Sequence, residues 1–397
     1  MARILLTGIT GVIGGALAEE LLARGNKIIA LGRSKDGVPF LERLLHDQSE
    51  IIREASKSGM IVPLEGDMRK EYCGLSNKII ADLQTKVDAG FNCAADIHFF
   101  GPDVYNTNVE GTVNFLELAE IIGKPAHLAS TAYVCGTAAT FWELDLEEGE
   151  PRNDYERSKR DGEKYALAFW RKTQLPVSIY RMPIVVGSSE DGAIRNPSTG
   201  YLGFFLAFHV TRKNTEKMLL DPEKAKHLRS SEGLDGIKIN EAGIITLPFS
   251  IQCSTYPLNL APIDWVVTMM ADLFEYKSPT GIATFNITNP AYNAPRVDDV
   301  INMSLEIMGF DGIRVGNVGP PENLTGIAKI FFRQLKRVLT VFRPYIEKGT
   351  EVFVSEQAKQ ALVSLGKTWV DPPPFDENTF RILLQYAEEH NFGQEKK

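Results

Sequence analysis

Residues 5–17 read LLTGITGVIGGAL. The apolar run RILLT (3–7) stops at Gly8, and Gly8, Gly11 and Gly14 lead into a helix-periodic stretch, VIGGALAEELLARG (12–25). That order spells strand, tight turn, helix. Gly8 permits the turn, Gly11 lets the backbone approach a pyrophosphate, and Gly14 lets the helix pack closely on the strand. The helix amides then face an anion. A bare glycine triplet also occurs in flexible loops, but both flanks are correct here, so the stretch is expected to hold a dinucleotide. Thr10, Val12 and Ile13 lie in the same turn and are candidate cofactor contacts with the three glycines.

Moving outward, strands and helices alternate. KIIALG (27–32) reads as a second strand, 38–58 as helix, MIVPLEGD (60–67) as a third strand, AGFNCAA (89–95) as a fourth and AHLAS (126–130) as a fifth. A helix at 102–123 lies between the last two, and a helix at 153–173 precedes PVSIYRMPIVVG (176–187). This rhythm predicts an α/β fold, a Rossmann-type doubly wound parallel sheet with helices on both faces. Past 187 the rhythm breaks. Residues 188–200 are rich in Gly, Ser and Pro, and 209–236 are polar, with Arg212, Lys213, Lys217, Lys224, Lys226 and Arg229 among several acids. That segment reads either as a solvated insertion or as a mobile substrate lid. APIDWVVTMMADLFEY (261–276) and TFNIT (284–288) read as a helix and a strand returning to the sheet, and 292–397 as mainly helical with a break at DPPPFDEN. The expected organisation is an NADP-binding Rossmann domain at 1–190, completed by 256–290, and a smaller, mostly helical substrate-binding lobe at 191–255 and 291–397.

The bulk properties set limits. A chain of 397 residues, 44% hydrophobic and 24% charged, can bury a large core and a second lobe. Its net charge of −8 argues against a general nucleic-acid binder, which carries a basic surface. Cys73, Cys93, Cys135 and Cys253 show no CxxC or Cys/His spacing, so reduced thiols and no metal site are expected. MARILLTG reads as a buried strand rather than a signal peptide. No segment reaches the ~18 uninterrupted apolar residues of a membrane span, so the expected location is the cytoplasm.

The second strand ends ALGRSK, with Arg33 and Lys35 and no carboxylate at its tip. An arginine there suits a 2′-phosphate, so NADPH/NADP is the expected cofactor. HLASTAYVCG puts Ser130 and Thr131 where a strand runs out, at the ligand-binding edge of an open sheet. Alone they read as caps. NDYERSKRDGEKYA (153–166) reads as a water-facing helix, but Tyr155 and Lys159 share one face of it. A hydroxyl and a phenol can then hold a carbonyl oxygen, with a lysine nearby favouring the tyrosinate of a group that titrates near ~10 when free.

The chain resembles the extended short-chain dehydrogenase/reductases. TGITGVIG, GD at 66–67, NCAAD at 92–96, NVEGT at 108–112, STAYVCG and YERSK match that pattern in order over the first half. The resemblance implies that Thr131, Tyr155 and Lys159 are the catalytic triad and that Asn108 supports the site through the helix it kinks. It implies adenine contacts from Asp67 and Met68, a cofactor lining at Ala94, and nicotinamide packing by Ile184 and Val185. One departure is PIVVG in place of the usual Asn-x-Tyr-Gly-Pro, which argues against the sugar-nucleotide epimerase branch. STAYV, YRMPIVVGSSEDG and LNLAPIDWVV further resemble the fatty acyl-CoA reductases and the thioester reductase domains of carboxylic acid reductases, as does the closing FRPYIEKG…WVDPPPFDENTFRILLQYAEEHNFG.

The expected reaction is therefore reduction of an acyl thioester, on CoA or a carrier protein, to aldehyde or alcohol. An anionic carrier needs local cations, and those at 212–229 are candidates, as solvated charge is also. KIFFRQLKRVLTVFRPY (329–345) reads as a helix packed on the core, or as one resting on a membrane surface or a carrier protein. Three alternatives stay open: an alcohol or hydroxysteroid dehydrogenase, a sugar-nucleotide epimerase or dehydratase, and a non-catalytic NADP(H)-binding sensor or scaffold.

Overall fold

The computed structural model describes residues 1–146, 149–348 and 352–394. They form two compact units: Met1–Pro183 with Ile263–Asn289 and Val352–Asp371, and Ile184–Pro262 with Pro290–Glu351 and Pro372–Lys397.

The first unit is the Rossmann half. Its elements are β1 (Arg3–Thr7), α1 (Val12–Ala23), β2 (Lys27–Gly32), α2 (Phe40–Leu45), α3 (Glu50–Ser58), β3 (Ile61–Glu65), α4 (Asn77–Lys86), β4 (Ala89–Asn92), α5 (Gly111–Ile122), β5 (Ala126–Thr131), α6 (Asp154–Thr173), β6 (Val177–Met182), α7 (Ile263–Leu273), β7 (Ile282–Asn286) and α8 (Glu356–Ser364). Seven strands pair in the order β7-β6-β5-β4-β1-β2-β3, every pair parallel. The order reverses between β1 and β4, so their carboxyl ends diverge into a crevice where such sheets bind ligands. Thr7 and Asn92 close those two ends with a side-chain hydrogen bond of 2.7 Å. One core cluster under the sheet gathers Leu5, Leu31, Phe115, Leu116, Leu128, Phe169 and Ile179, all nearly inaccessible. Within the sheet Phe91, His127, Tyr180 and Phe274 stack. His127 accepts this place as a neutral ring, its pKa pulled to about 3 by burial.

Several expectations are adjusted. The predicted helix 38–58 is two helices, because Ser49 caps the second by accepting from the Ile52 amide. The helix expected at 102–123 carries a π-turn over Asn106–Glu110. The strand expected at 176–187 breaks at Pro183, and Ile184–Val186 pairs with Leu260–Pro262 of the second unit instead. The segment Val352–Asp371, expected in the lobe, belongs to the first unit. Several ties hold it there: Val352–Phe353 pairs parallel with Thr140–Phe141, Glu143 accepts the amides of Gln357 (2.5 Å) and Ala358 (2.9 Å) at the start of α8, Asn286 donates to the Val354 carbonyl (2.8 Å), and Lys367 pairs with Asp272 (2.9 Å).

The second unit is mostly helical, with helices Gly200–Met218, Pro222–Leu228, Val297–Ile307, Gly326–Ile346 and Glu377–Glu389 and a few two- and three-residue strands. Phe204, Phe205, Phe208, Phe249, Leu335 and Phe380 form its core. The stretch 209–236 is thus largely helix. Parts of the C-terminal segment, 349–351 and 395–397, lie outside the described residues.

Candidate active site

The glycine turn has the expected build. Gly8 sits at φ +73, and a Cβ there would meet the Cys93 carbonyl carbon and the Ala94 amide at 2.5 Å. A Cβ on Gly14 would stand 2.3 Å from the Gly8 carbonyl oxygen. Only glycine fits either position. Gly11 caps α1 without any side-chain acceptor for the first-turn amides. Those amides keep their partial positive charge for an anion, which is the cradle a pyrophosphate needs. Ala94, a cofactor candidate, has its amide held by Thr7 Oγ1 (3.2 Å) and Asn92 Oδ1 (3.1 Å) at the crevice.

At the adenosine end the structure adds a residue the sequence reading passed over. Arg43 of α2 donates to the Arg33 carbonyl at 2.8 Å and to Thr10 Oγ1 at 3.1 Å. It brings a guanidinium to the glycine turn beside exposed Arg33 and Lys35. Nothing distinguishes Arg43 in a charged helical run, so no sequence signal marked it. The expectation that no carboxylate reaches the β2 tip needs correction. Glu65, at the end of β3, accepts from the Ser34 amide and hydroxyl (2.5 and 2.7 Å) and from the Phe40 amide (3.3 Å). Its oxygens are occupied in fastening the β2–α2 connection. Asp67 is bound by Arg69 at 2.7 Å, and that bond holds its carboxyl below the usual range. Met68 is buried against Gly111.

The catalytic candidates meet at the carboxyl end of β5. Ser130 and Thr131 are successive strand residues, so their side chains point to opposite faces. Ser130 turns inward and donates to the Glu163 carboxylate. It is therefore not the second hydroxyl of the site. Thr131 carries that role alone: its hydroxyl stands beside the Tyr155 phenol, accepts from the Tyr133 amide at 3.2 Å and donates to the Met182 carbonyl at 3.4 Å. Burial pushes the Tyr155 phenol up to about 12, with the Glu156 charge adding and the Thr131 hydroxyl opposing. Lys159 donates from Nζ to the Ala129 carbonyl at 2.7 Å. Burial pulls its pKa down to about 8, against the charge of Glu163 one turn further along. These low-dielectric surroundings favour the neutral phenol.

Two devices fix this helix. Asn153 caps it by accepting the Glu156 amide at 2.9 Å, and the Asp154 amide reaches the Phe99 carbonyl at 3.0 Å. Asn108, buried in the π-turn, donates to Asp96 O (2.8 Å) and Ser158 Oγ (2.9 Å) while its Oδ1 accepts the Asp96 amide (2.8 Å). It therefore positions the loop after β4 and the middle of α6, and it does not touch Lys159 in this arrangement.

The water-facing reading of 153–166 is corrected too. Glu156, Ser158, Arg160 and Glu163 are buried, because each finds a partner. Arg152 pairs with Glu156 at 3.3 Å, Arg160 donates to the Val134 carbonyl at 2.7 Å, and Glu163 is clasped by Arg181 at 2.8 Å.

The remaining candidates lie in the second unit. Ile184 and Val185 are half-buried on its first strand. Of the cations at 212–229, Arg212 is committed elsewhere. Its guanidinium donates to the carbonyls of Met308 (2.6 Å) and Gly309 (2.9 Å) at the end of helix Val297–Ile307 and lies over Phe310. Lys224 pairs with Asp221 at 3.1 Å, while Lys213, Lys217, Lys226 and Arg229 are exposed. In helix Gly326–Ile346, Ala328, Phe331 and Leu335 turn to the core, and Lys329, Arg333, Lys336 and Arg337 face out. Among the described residues no helix is long and apolar enough to cross a membrane, and no His/Cys/Asp/Glu group has the make-up of a metal site. The four cysteines are free thiols.

Comparison with known proteins bears on these features. Residues 6–270 match the family described as Male sterility protein. A putative fatty acyl-CoA reductase of Drosophila melanogaster is 32% identical over 146 residues, 33% of this chain and 28% of that protein. The terminal R domain of the myxalamid PKS-NRPS pathway has the same fold, with TM-score 0.69 and 24% identity, covering 99% of this chain and 92% of that one. MoeE5 bound to UDP-glucuronic acid and NAD shares the fold at TM-score 0.57 and 18% identity, covering 98% and 99%. The matched region spans under a third of the Drosophila reductase.

Proposed function

The chain belongs to the family described as Male sterility protein, of the extended short-chain dehydrogenase/reductase type, and from that membership we propose that it is an NADPH-dependent acyl thioester reductase. Its substrate is an acyl group on CoA or on a carrier protein, and its product is the aldehyde or the alcohol. One observation carries the reading: the Thr131 hydroxyl and the Tyr155 phenol stand together where β5 ends, with Lys159 anchored on Ala129 beside them. The acyl-CoA reductase among its relatives supports the thioester half of the proposal.

The residues present fit the cofactor. The Gly8–Gly14 turn and the α1 amides would hold its pyrophosphate, and Arg43 with Arg33 would take the 2′-phosphate, since a guanidinium fork matches phosphate oxygens. When bound, NADPH would supply the hydride. The protein's share is the oxygen. Thr131 and Tyr155 donate to the thioester carbonyl, and those donors gain strength as charge grows there. A phenol raised to about 12 is protonated at neutral pH, the state needed to give its proton to that oxygen. Collapse of the hemithioacetal breaks the C–S bond, and the sulfur leaves as thiol with the proton. Tyr155, reprotonated from solvent, would again give the proton that makes the alcohol when a second NADPH supplies the hydride that reduces the aldehyde.

The test offers a long-chain acyl-CoA, a steroid ketone and a UDP-sugar separately and follows NADPH loss and products. Thioester-dependent oxidation with release of free thiol is expected. Turnover of the ketone or the sugar nucleotide in its place would overturn the reading.

A further inference from the structure

We propose that Glu163 is a positioning residue for the Tyr155–Lys159 pair, its buried carboxylate serving as the counter-charge that keeps the Lys159 ammonium protonated. The inference rests on the reductase reading only for why that proton matters.

Tyr155, Lys159 and Glu163 follow one another at four-residue intervals on α6, so they share a face. Glu163 is 3% exposed. Its carboxylate accepts from the Ser130 hydroxyl and from Arg181 Nε (3.0 Å) and Nη2 (2.8 Å). Ser130 follows Ala129, whose carbonyl holds the Lys159 ammonium at 2.7 Å. Two successive residues of β5 thus tie the ammonium and the carboxylate to one strand end.

The groups facing Lys159 can be named. From its own helix come Tyr155 and Glu163, from the segment after β4 comes Cys93, from β5 the neutral Ala129 carbonyl, and from β6 Arg181, acting through Glu163. Asn108 and Ser158, bonded to each other, are uncharged. Burial drives the Cys93 thiol up to about 12, so it is neutral at working pH. Glu163 is left as the anion that sustains the ammonium.

The carboxylate therefore pairs with the buried Arg181 and stands one helical turn from the half-buried Lys159. Arg181 has further acceptors in the carbonyls of Trp142 (3.3 Å), Glu143 (3.3 Å) and Asp145 (2.8 Å), and a guanidinium does not deprotonate in a protein. If Glu163 loses its charge, the proton that leaves is that of Lys159. The sign follows. A lysine is charged below its pKa, so losing the anion lowers the pKa and moves the alkaline limit of the ammonium toward acid.

The experiment reads Lys159 directly, by competitive acetylation of the folded full chain across pH with peptide mass spectrometry. The pH profile of NADPH-dependent turnover is measured alongside. Glu163→Gln is expected to move both transitions down by about one pH unit or more. Glu163→Asp, which keeps the charge, should stay near the wild type. Arg181→Met leaves the carboxylate undivided and should move both transitions up, which gives the test an arm that does not need the Gln variant to fold. If the Lys159 transition stays at its wild-type pH in whichever of these variants fold, the proposal is overturned. Shifted acetylation with no thioester turnover in the wild type would instead overturn the reductase reading and leave the counter-charge standing.

Discussion

On the proposed reaction the Thr131 and Tyr155 hydroxyls share one substrate oxygen, so their removal should not be independent. Tyr155→Phe deletes one donor to the developing oxyanion and Thr131→Val deletes the other. Each donor of this kind contributes about 2.7–4 kcal/mol, a fall of ~10²–10³ in kcat. Independent donors would give a double variant down by ~10⁴–10⁶. Here each single variant also leaves the shared oxygen held by one donor alone and loosens its aim. The double variant should therefore fall by only ~10³–10⁴, leaving a coupling of about 1.5–3 kcal/mol. Thr131→Val also orphans the Tyr133 amide, 3.2 Å from the threonine oxygen, which should lower stability by about 1–3 kcal/mol. Tyr155→Phe should melt near the wild type. The assay is single-turnover NADPH oxidation with acyl-CoA below the lowest melting temperature, with NADPH affinity measured by fluorescence titration. Affinity should be nearly unchanged in all three variants. Full turnover in Tyr155→Phe, or strictly multiplicative losses, would refute the reasoning.

Gly14→Ala sets a Cβ 2.3 Å from the Gly8 oxygen, so α1 must retreat by about 1.1 Å to reach ordinary contact at 3.4 Å. A destabilisation of about 1–3 kcal/mol and weaker NADPH binding are expected by thermal melt and titration. Arg43→Met should raise KM for NADPH by ~10–100-fold while leaving KM for NADH nearly unchanged, because only the former carries a 2′-phosphate for the guanidinium to hold. Arg212→Met strips the carbonyls of Met308 and Gly309 of their donor. It should cost about 1–3 kcal/mol by melting while the turnover of the remaining folded protein stays at the wild-type level, in contrast to what a carrier-binding role for Arg212 requires.

The parallel sheet was legible because its strands are short, apolar and bounded by turns. Arg3–Thr7 and Lys27–Gly32 fall where the apolar runs begin and end. The spacing of Tyr155 and Lys159 was equally plain. What stayed hidden depends on partners far away in sequence. A helix bearing Glu156, Arg160 and Glu163 reads as solvated until Arg181, Val134 and Ser130 arrive to satisfy it. Ser130 and Thr131 look alike as letters, yet the two-residue period of a strand separates their roles. Glu163 could have been found, since it extends the four-residue interval of Tyr155 and Lys159. Arg43 could not, because its function comes from the fold of the 33–43 connection. The return of 352–371 also left no periodic trace, as its attachment is a two-residue strand plus single hydrogen bonds and ion pairs to residues far away in sequence.

That late attachment has a consequence for synthesis. The Rossmann unit takes its last helix from residues 214 positions beyond the glutamate that seats it. During translation the nascent sheet must wait, with the strand and helix sites of that piece uncovered, until residues 352–371 have left the ribosome. A truncation placed before Val352 would leave the Glu143 carboxylate with only the Asn286 amide of β7, at 3.2 Å. Expression of the nucleotide-binding half by itself should then yield aggregates, whereas a nicked full-length protein that retains the late piece should stay in solution.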